Sequence, residues 1–123
     1  MQLSIDADLN QVAGACQRML AAITLPVDHM AVELALTEGL NNAIIHGNHM
    51  RPNSIVEIQL ITHTNAVTCV ITDAGSGLCD AMLTAPRVHH DATSGRGLAL
   101  IKTLANQTRI ASGNLHITFL ALR

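Results

Sequence analysis

Apolar residues recur along this chain with two periods, and the changes of period divide it into elements. Leu3 to Ile5 predicts a short edge strand. From Leu9 to about Ile23, the residues Leu9, Val12, Cys16, Met19, Leu20 and Ile23 fall at helical spacing, with Gln11, Gln17 and Arg18 outside that stripe and Asp8 placed to cap the helix. Leu25-Pro26-Val27 interrupts the pattern. Asp28 is the expected cap of a second helix that ends near Gly47, where glycine or asparagine suits a helix terminus. Asn48 to Asn53, with Pro52, reads as a loop.

The period then drops to two. Val56, Ile58 and Leu60 alternate with Glu57 and Gln59 in a strand from Ser54 to Thr62. Val67, Cys69 and Ile71 alternate with Thr68 and Thr72 in a second strand from Ala66 to Asp73, with Thr64-Asn65 as the turn between them. Leu78 to Ser94 has no strong periodicity, and an irregular segment of that length inside a small domain is functional or disordered. Gly95-Arg96-Gly97 leads into a third helix reaching about Ala105. Thr108 to Ala111 and Leu115 to Leu122 predict a hairpin across Ser112-Gly113-Asn114. Two helices, strands, one helix and a hairpin suit an α+β fold: a two-layer sandwich with a mostly antiparallel, mixed sheet and helices on one face.

Composition narrows the function classes. The 123 residues suffice for one domain with a hydrophobic core, taken as 1–123. Net charge is −2 and Phe119 is the single aromatic residue, so neither a basic surface nor a stacking platform is available for nucleic acid. No leader pattern opens the chain and no apolar run nears membrane-spanning length, so the expected location is the cytoplasm, with no membrane partner. Cys16, Cys69 and Cys79 form neither a C-x-x-C pair nor an even set. Cys16 and Cys69 occupy positions that a helix and a strand would bury, as small core hydrophobes. The seven histidines do not combine with the cysteines into a zinc ligand set.

Candidate chemistry begins in the second helix. Glu38, Asn42 and His46 recur every four residues, and each such step advances about 40° around a helix, so they form one slanting polar row. Val32, Leu36, Leu40 and Ala43 make an apolar strip beside it. Asp73 shares strand parity with Val67, Cys69 and Ile71, which points it inward at the end of a buried strand. An inward carboxylate needs a partner, and a ligand amine is one candidate. Asp73-Ala74-Gly75-Ser76-Gly77 follows the strand directly, and glycines there let a ligand approach bare backbone. The second glycine box, Ser94-Gly95-Arg96-Gly97-Leu98, is expected to open a helix, where free amides and the helix dipole favour phosphate. Neither box is a P-loop or a dinucleotide-fold G-x-G-x-x-G.

In this order, E-x-x-x-N-x-x-x-H, D-x-G-x-G and G-x-G-L resemble the GHKL ATPase superfamily over nearly the whole chain. Within it the chain is most similar to the small bacterial anti-sigma-factor serine/threonine kinases, through Glu38 and the Ala43-Ile-Ile-His-Gly47 continuation. The resemblance implies ATP and Mg²⁺, with Asn42 as the metal ligand through its side-chain oxygen. It implies that Asp73 accepts from the adenine amine, that Gly77 admits the nucleotide and that Gly75 shapes the turn. Gly95, Arg96 and Gly97, with Leu98 closing the box, would meet the phosphates. Arg87, in the lid segment, would add positive charge there or stay solvated. Glu38 would be the general base for an attacking hydroxyl. His46 would contact phosphate or pack at the helix end. The implied nucleophile is a serine or threonine on a STAS-type anti-anti-sigma partner that competes with a sigma factor, and the implied assembly is a homodimer.

Two other readings stand beside this one. In the first, ATP only stabilises a partner-binding shape; Glu38 argues against it, because binding alone does not require a base. The second is a detached histidine-kinase ATP-binding domain. That family usually has Asn at the position of Glu38 and a preceding helical hairpin with a phosphoacceptor histidine, and neither is read here. His89 and His90 in the lid segment have no role in either family.

Overall fold

A computed structural model describes residues 1–47, 53–73 and 92–122, with only the backbone for 47 and 92–97. The expected elements form in the expected order. Strand β1 spans Gln2–Asp6, followed by a 3₁₀ turn at Leu9–Gln11 and helix α1 at Val12–Ala22. Helix α2 spans His29–Asn42, and a π-helical turn, Ala43–Gly47, continues it. Strands β2 (Ile55–Thr62) and β3 (Ala66–Thr72) form a hairpin, helix α3 spans Ala92–Leu104, and β4 (Gln107–Ala111) and β5 (Asn114–Leu120) form a second hairpin.

Local chemistry sets several boundaries. The Asp8 side chain accepts from the Asn10 N–H at 2.9 Å, so it caps the 3₁₀ turn that precedes α1 rather than α1 itself. Asp28 caps α2 as predicted, accepting from the Ala31 N–H at 3.2 Å. The β4–β5 turn is shorter than expected, because Asn114 already belongs to β5. Ser112 (φ 53°) and Gly113 (φ 77°) both take positive φ, the geometry of a tight two-residue hairpin turn.

The sheet order is β1-β2-β3-β5-β4, and all four pairings among the described strands are antiparallel, where a mixed sheet was expected. The cause is the insertion of β5. β3 and β4 run parallel with α3 between them in sequence, but β5 lies between them in the sheet and is antiparallel to both.

One face of the sheet meets the helices. Leu3, Ile58, Ile71, Leu115 and Ile110 stand opposite one another in a row across all five strands, and each is buried. The strip predicted for α2 closes on this face: Val32, Leu36 and Leu40 have no exposed surface and Ala43 little. Val12, Cys16 and Met19 of α1 and Ile101 of α3 complete the core, whereas Leu9, counted in the apolar stripe, stays exposed. Cys16 and Cys69 are free, buried thiols, as expected. Among the described residues, no helix is long and apolar enough to cross a membrane.

Candidate functional site

The registers fix which ends of the elements meet. Thr72, at the end of β3, stands opposite Glu57, near the start of β2. Since α2 and its π turn lead into β2, their C-terminal end lies at the end of the sheet where β3 finishes. At the other end, α3 leads into Gln107, which stands opposite Thr118, itself opposite Thr68 near the start of β3. The N-terminus of α3 therefore points back towards the end of β3, and α3 packs along α2. The sandwich thus gathers the C-terminal end of α2, the residue after β3 and the start of α3 at one end.

Gly39 decides how closely α2 rests on the sheet. A Cβ added there would lie 2.7 Å from Cδ1 of Ile71, with Leu115 Cδ2 and Ile117 Cδ1 at 3.5 and 3.6 Å. Counting 100° per residue from Gly39, Glu38 and Asn42 fall about 100° and 60° round on the same flank. Both are half-buried, at the edge of the helix–sheet contact. Ile71, which Gly39 touches, lies two residues before Asp73 on the same strand face. Asp73 is half-buried too and follows directly on β3. The flank of α2 that carries Glu38 and Asn42 thus lies beside the contact of Gly39 with the strand that Asp73 follows.

His46 departs from the predicted row. Residues 43–47 form a π turn, whose i→i+5 bonds widen the helix, so the step from Asn42 to His46 falls short of the turn that an α-helix would complete. Ile44 in this turn is fully buried and His46 is exposed. The second glycine box also sits differently. Helix α3 starts at Ala92, three residues before Gly95, so the box lies within the first two turns instead of ahead of them. The free amides of that terminus begin at Ala92. Leu98 packs partly buried against the core. Gly75, Gly77 and Arg87, with Cys79, His89 and His90, lie outside the described residues.

The family profile of the histidine kinase-like ATPase domain matches residues 5–120. The chain belongs to that family. Membership accounts for the GHKL-type α+β architecture and supports ATP as the ligand. It is compatible with kinase or ATPase chemistry. No curated protein matches the chain.

The converging ends suit such a ligand. A half-buried carboxylate at the end of β3 is a fitting acceptor for a heterocycle amine, and an amide oxygen one turn from a carboxylate suits a cation that takes few protein ligands. Gly39 was missed in the sequence. Its signal was a glycine inside a strongly patterned helix, which costs about 1 kcal/mol relative to alanine and calls for a packing reason.

Proposed function

We propose that this chain is a protein serine/threonine kinase of a bacterial partner-switching system, using ATP and Mg²⁺. Its substrate is a serine or threonine hydroxyl on a STAS-type anti-anti-sigma protein, and its second partner is a sigma factor that it sequesters. In this reading it acts in the cytoplasm as a homodimer and the kinase domain is residues 1–123. The observation that carries the reading is Glu38 one turn before Asn42, both half-buried on one flank of α2.

Asp73 holds the adenine end through the exocyclic amine, and Asn42 offers its side-chain oxygen to Mg²⁺. The metal supplies charge neutralisation at the phosphates. Glu38 accepts the proton of the attacking hydroxyl and orients it. In this reading the two glycine segments, Gly75 and Gly77 and Gly95 to Leu98, would meet the nucleotide, Arg96 would add positive charge at the phosphates, and Arg87 would add to it or stay solvated. His46 stands at the rim.

The test is phosphoryl transfer from labelled ATP to the candidate partner in the presence of Mg²⁺. Wild type labels the partner; Glu38→Ala binds ATP but transfers poorly; Asn42→Ala loses Mg²⁺-dependent binding. A wild-type protein that forms the partner complex normally yet transfers no label refutes the kinase and leaves an ATP-dependent binding module.

A further inference from the structure

The sheet face turned away from the helices carries a second cluster of polar groups, remote from the converging ends described above. Thr68 on the central strand β3 is buried there, only 7 % exposed, with the side chains of the flanking strands around it. Its hydroxyl lies 3.0 Å from Nε2 of His63 and 2.9 Å from the hydroxyl of Thr118 on β5. Gln107 stands opposite Thr118, and Arg109 opposite His116. Together these side chains and Ile61 line a hollow of about 210 Å³. That is smaller than the roughly 300–1,000 Å³ of a drug-sized ligand pocket. Its lining has one guanidinium, two imidazoles and no carboxylate.

The hydroxyl pair adds direction. Three groups in line make two hydrogen bonds. If His63 Nε2 carries a proton, it donates to Thr68, Thr68 donates to Thr118, and the Thr118 hydrogen is left to point into the hollow. If Nε2 is bare, both hydroxyls turn the other way and Thr118 presents only lone pairs. An anion in the hollow therefore selects the first arrangement, in which the Thr118 hydroxyl joins the exposed Arg109 guanidinium as a donor in the lining.

We propose that this hollow is a binding site for a small tetrahedral dianion of the phosphate class, with Arg109 as the charged anchor and His63 setting the hydroxyl direction through Thr68. The groups facing the imidazoles of His63 and His116 are Ile61 from β2, Thr68 and Val70 from β3, Thr118 from β5, and Gln107 and Arg109 from β4. The carboxylate of Glu57, on the same sheet face, stands further along β2 opposite Thr72.

The test follows the imidazole ¹⁵N and ¹H resonances of His63, His116 and His46 during titration with sodium sulfate at constant ionic strength. Inorganic phosphate and O-phosphoserine are titrated separately, to tell free anion from an esterified phosphate. Saturable shifts at His63 and His116 are expected with at least one of the three. Arg109→Gln weakens binding about tenfold or more, as expected for losing a charged hydrogen bond. Thr118→Val weakens it while leaving the far-UV circular dichroism unchanged. Non-saturating shifts, shifts confined to His46, or equal affinity in Arg109→Gln overturn the proposal.

Discussion

Substituting Gly39 by alanine separates two opposed effects at the position where α2 meets the sheet. Alanine favours the helix by about 0.8–1.0 kcal/mol over glycine. Against this, its Cβ would sit 2.7 Å from Cδ1 of Ile71, the tip of a side chain that must shift to admit it, with Leu115 Cδ2 and Ile117 Cδ1 in ordinary contact with the Cβ at 3.5 and 3.6 Å. Overpacking of that kind typically costs about 1–3 kcal/mol. The expected net effect is a loss of about 1 kcal/mol, or about 4 °C in melting temperature for a chain of this size.

The decisive variant removes the clashing atom. Ile71→Val deletes Cδ1 and alone costs about 0.5–1.5 kcal/mol. Together with Gly39→Ala the methyl group is moved across the interface rather than lost, so the double variant recovers most of the stability. Independent effects would cost about 2 kcal/mol; the double variant is expected within about 0.5 kcal/mol of wild type, a coupling of about 1–2 kcal/mol. The chain lacks tryptophan and tyrosine, so urea and thermal unfolding are followed by far-UV circular dichroism. A Gly39→Ala protein as stable as wild type, or single effects that add to within about 0.3–0.5 kcal/mol, refutes the close contact as the reason for glycine. ATP affinity supplies a second readout. It falls in the single variant, which lifts the Glu38–Asn42 flank away from Asp73, and returns in the double.

Other expectations follow from the same structure. Gly14 lies inside α1 and a Cβ added there would meet nothing within 4 Å, so Gly14→Ala stabilises by about 0.5–1 kcal/mol in the same unfolding assay, the opposite sign to Gly39→Ala. The Thr108 hydroxyl is buried without a hydrogen-bond partner among the described residues, at an inward position opposite Ile117, so Thr108→Val raises stability by about 1 kcal/mol in urea unfolding. Burial, and secondarily the neighbouring Cys16, pushes the Cys69 thiol from 9.0 up to about 12. The folded protein therefore keeps a proton that the unfolded chain releases, and stability falls between pH 9 and 12 with a slope of up to about 1.4 kcal/mol per pH unit from this group. Burial also raises Cys16, despite its contact with Thr37, and steepens the same fall. Replacing Cys69 by alanine flattens that part of the pH–stability curve while lowering the plateau.

How much was legible in the sequence depends on the range of the forces involved. Caps were legible because they are local: Asp28 reaches a backbone amide three residues away. Strand faces were legible because the period of two leaves one choice of inward side, and it placed Val67, Cys69 and Ile71 in the core. The π turn was not, since i→i+4 and i→i+5 bonding of Ala43 to Gly47 differ through tertiary demands such as the burial of Ile44. The early start of α3 was hidden by Gly95 and Gly97, poor helix formers held in a helix that packs along α2. The burial of Thr68 on the open sheet face was equally hidden, because it depends on which strands flank β3.

The same distinction bears on which part of the candidate site is rigid. Glu38 and Asn42 stand on the packed stretch of α2, with Leu36, Gly39 and Leu40 buried beneath them, and Asp73 stands on the first residue beyond a strand buried on both faces. Groups carried on packed elements hold their positions better than groups on loops, as the proposed metal ligand and base must. His46 lies past the point where α2 changes its hydrogen-bonding pattern, on an exposed position of the wider turn. The polar row predicted from a uniform helix therefore divides in two. Glu38 and Asn42 remain one α-helical turn apart on a shared, anchored flank, whereas the orientation of His46 is set by the π turn, and a substitution that restores regular α-helix through residues 43–47 would move His46 without moving the other two.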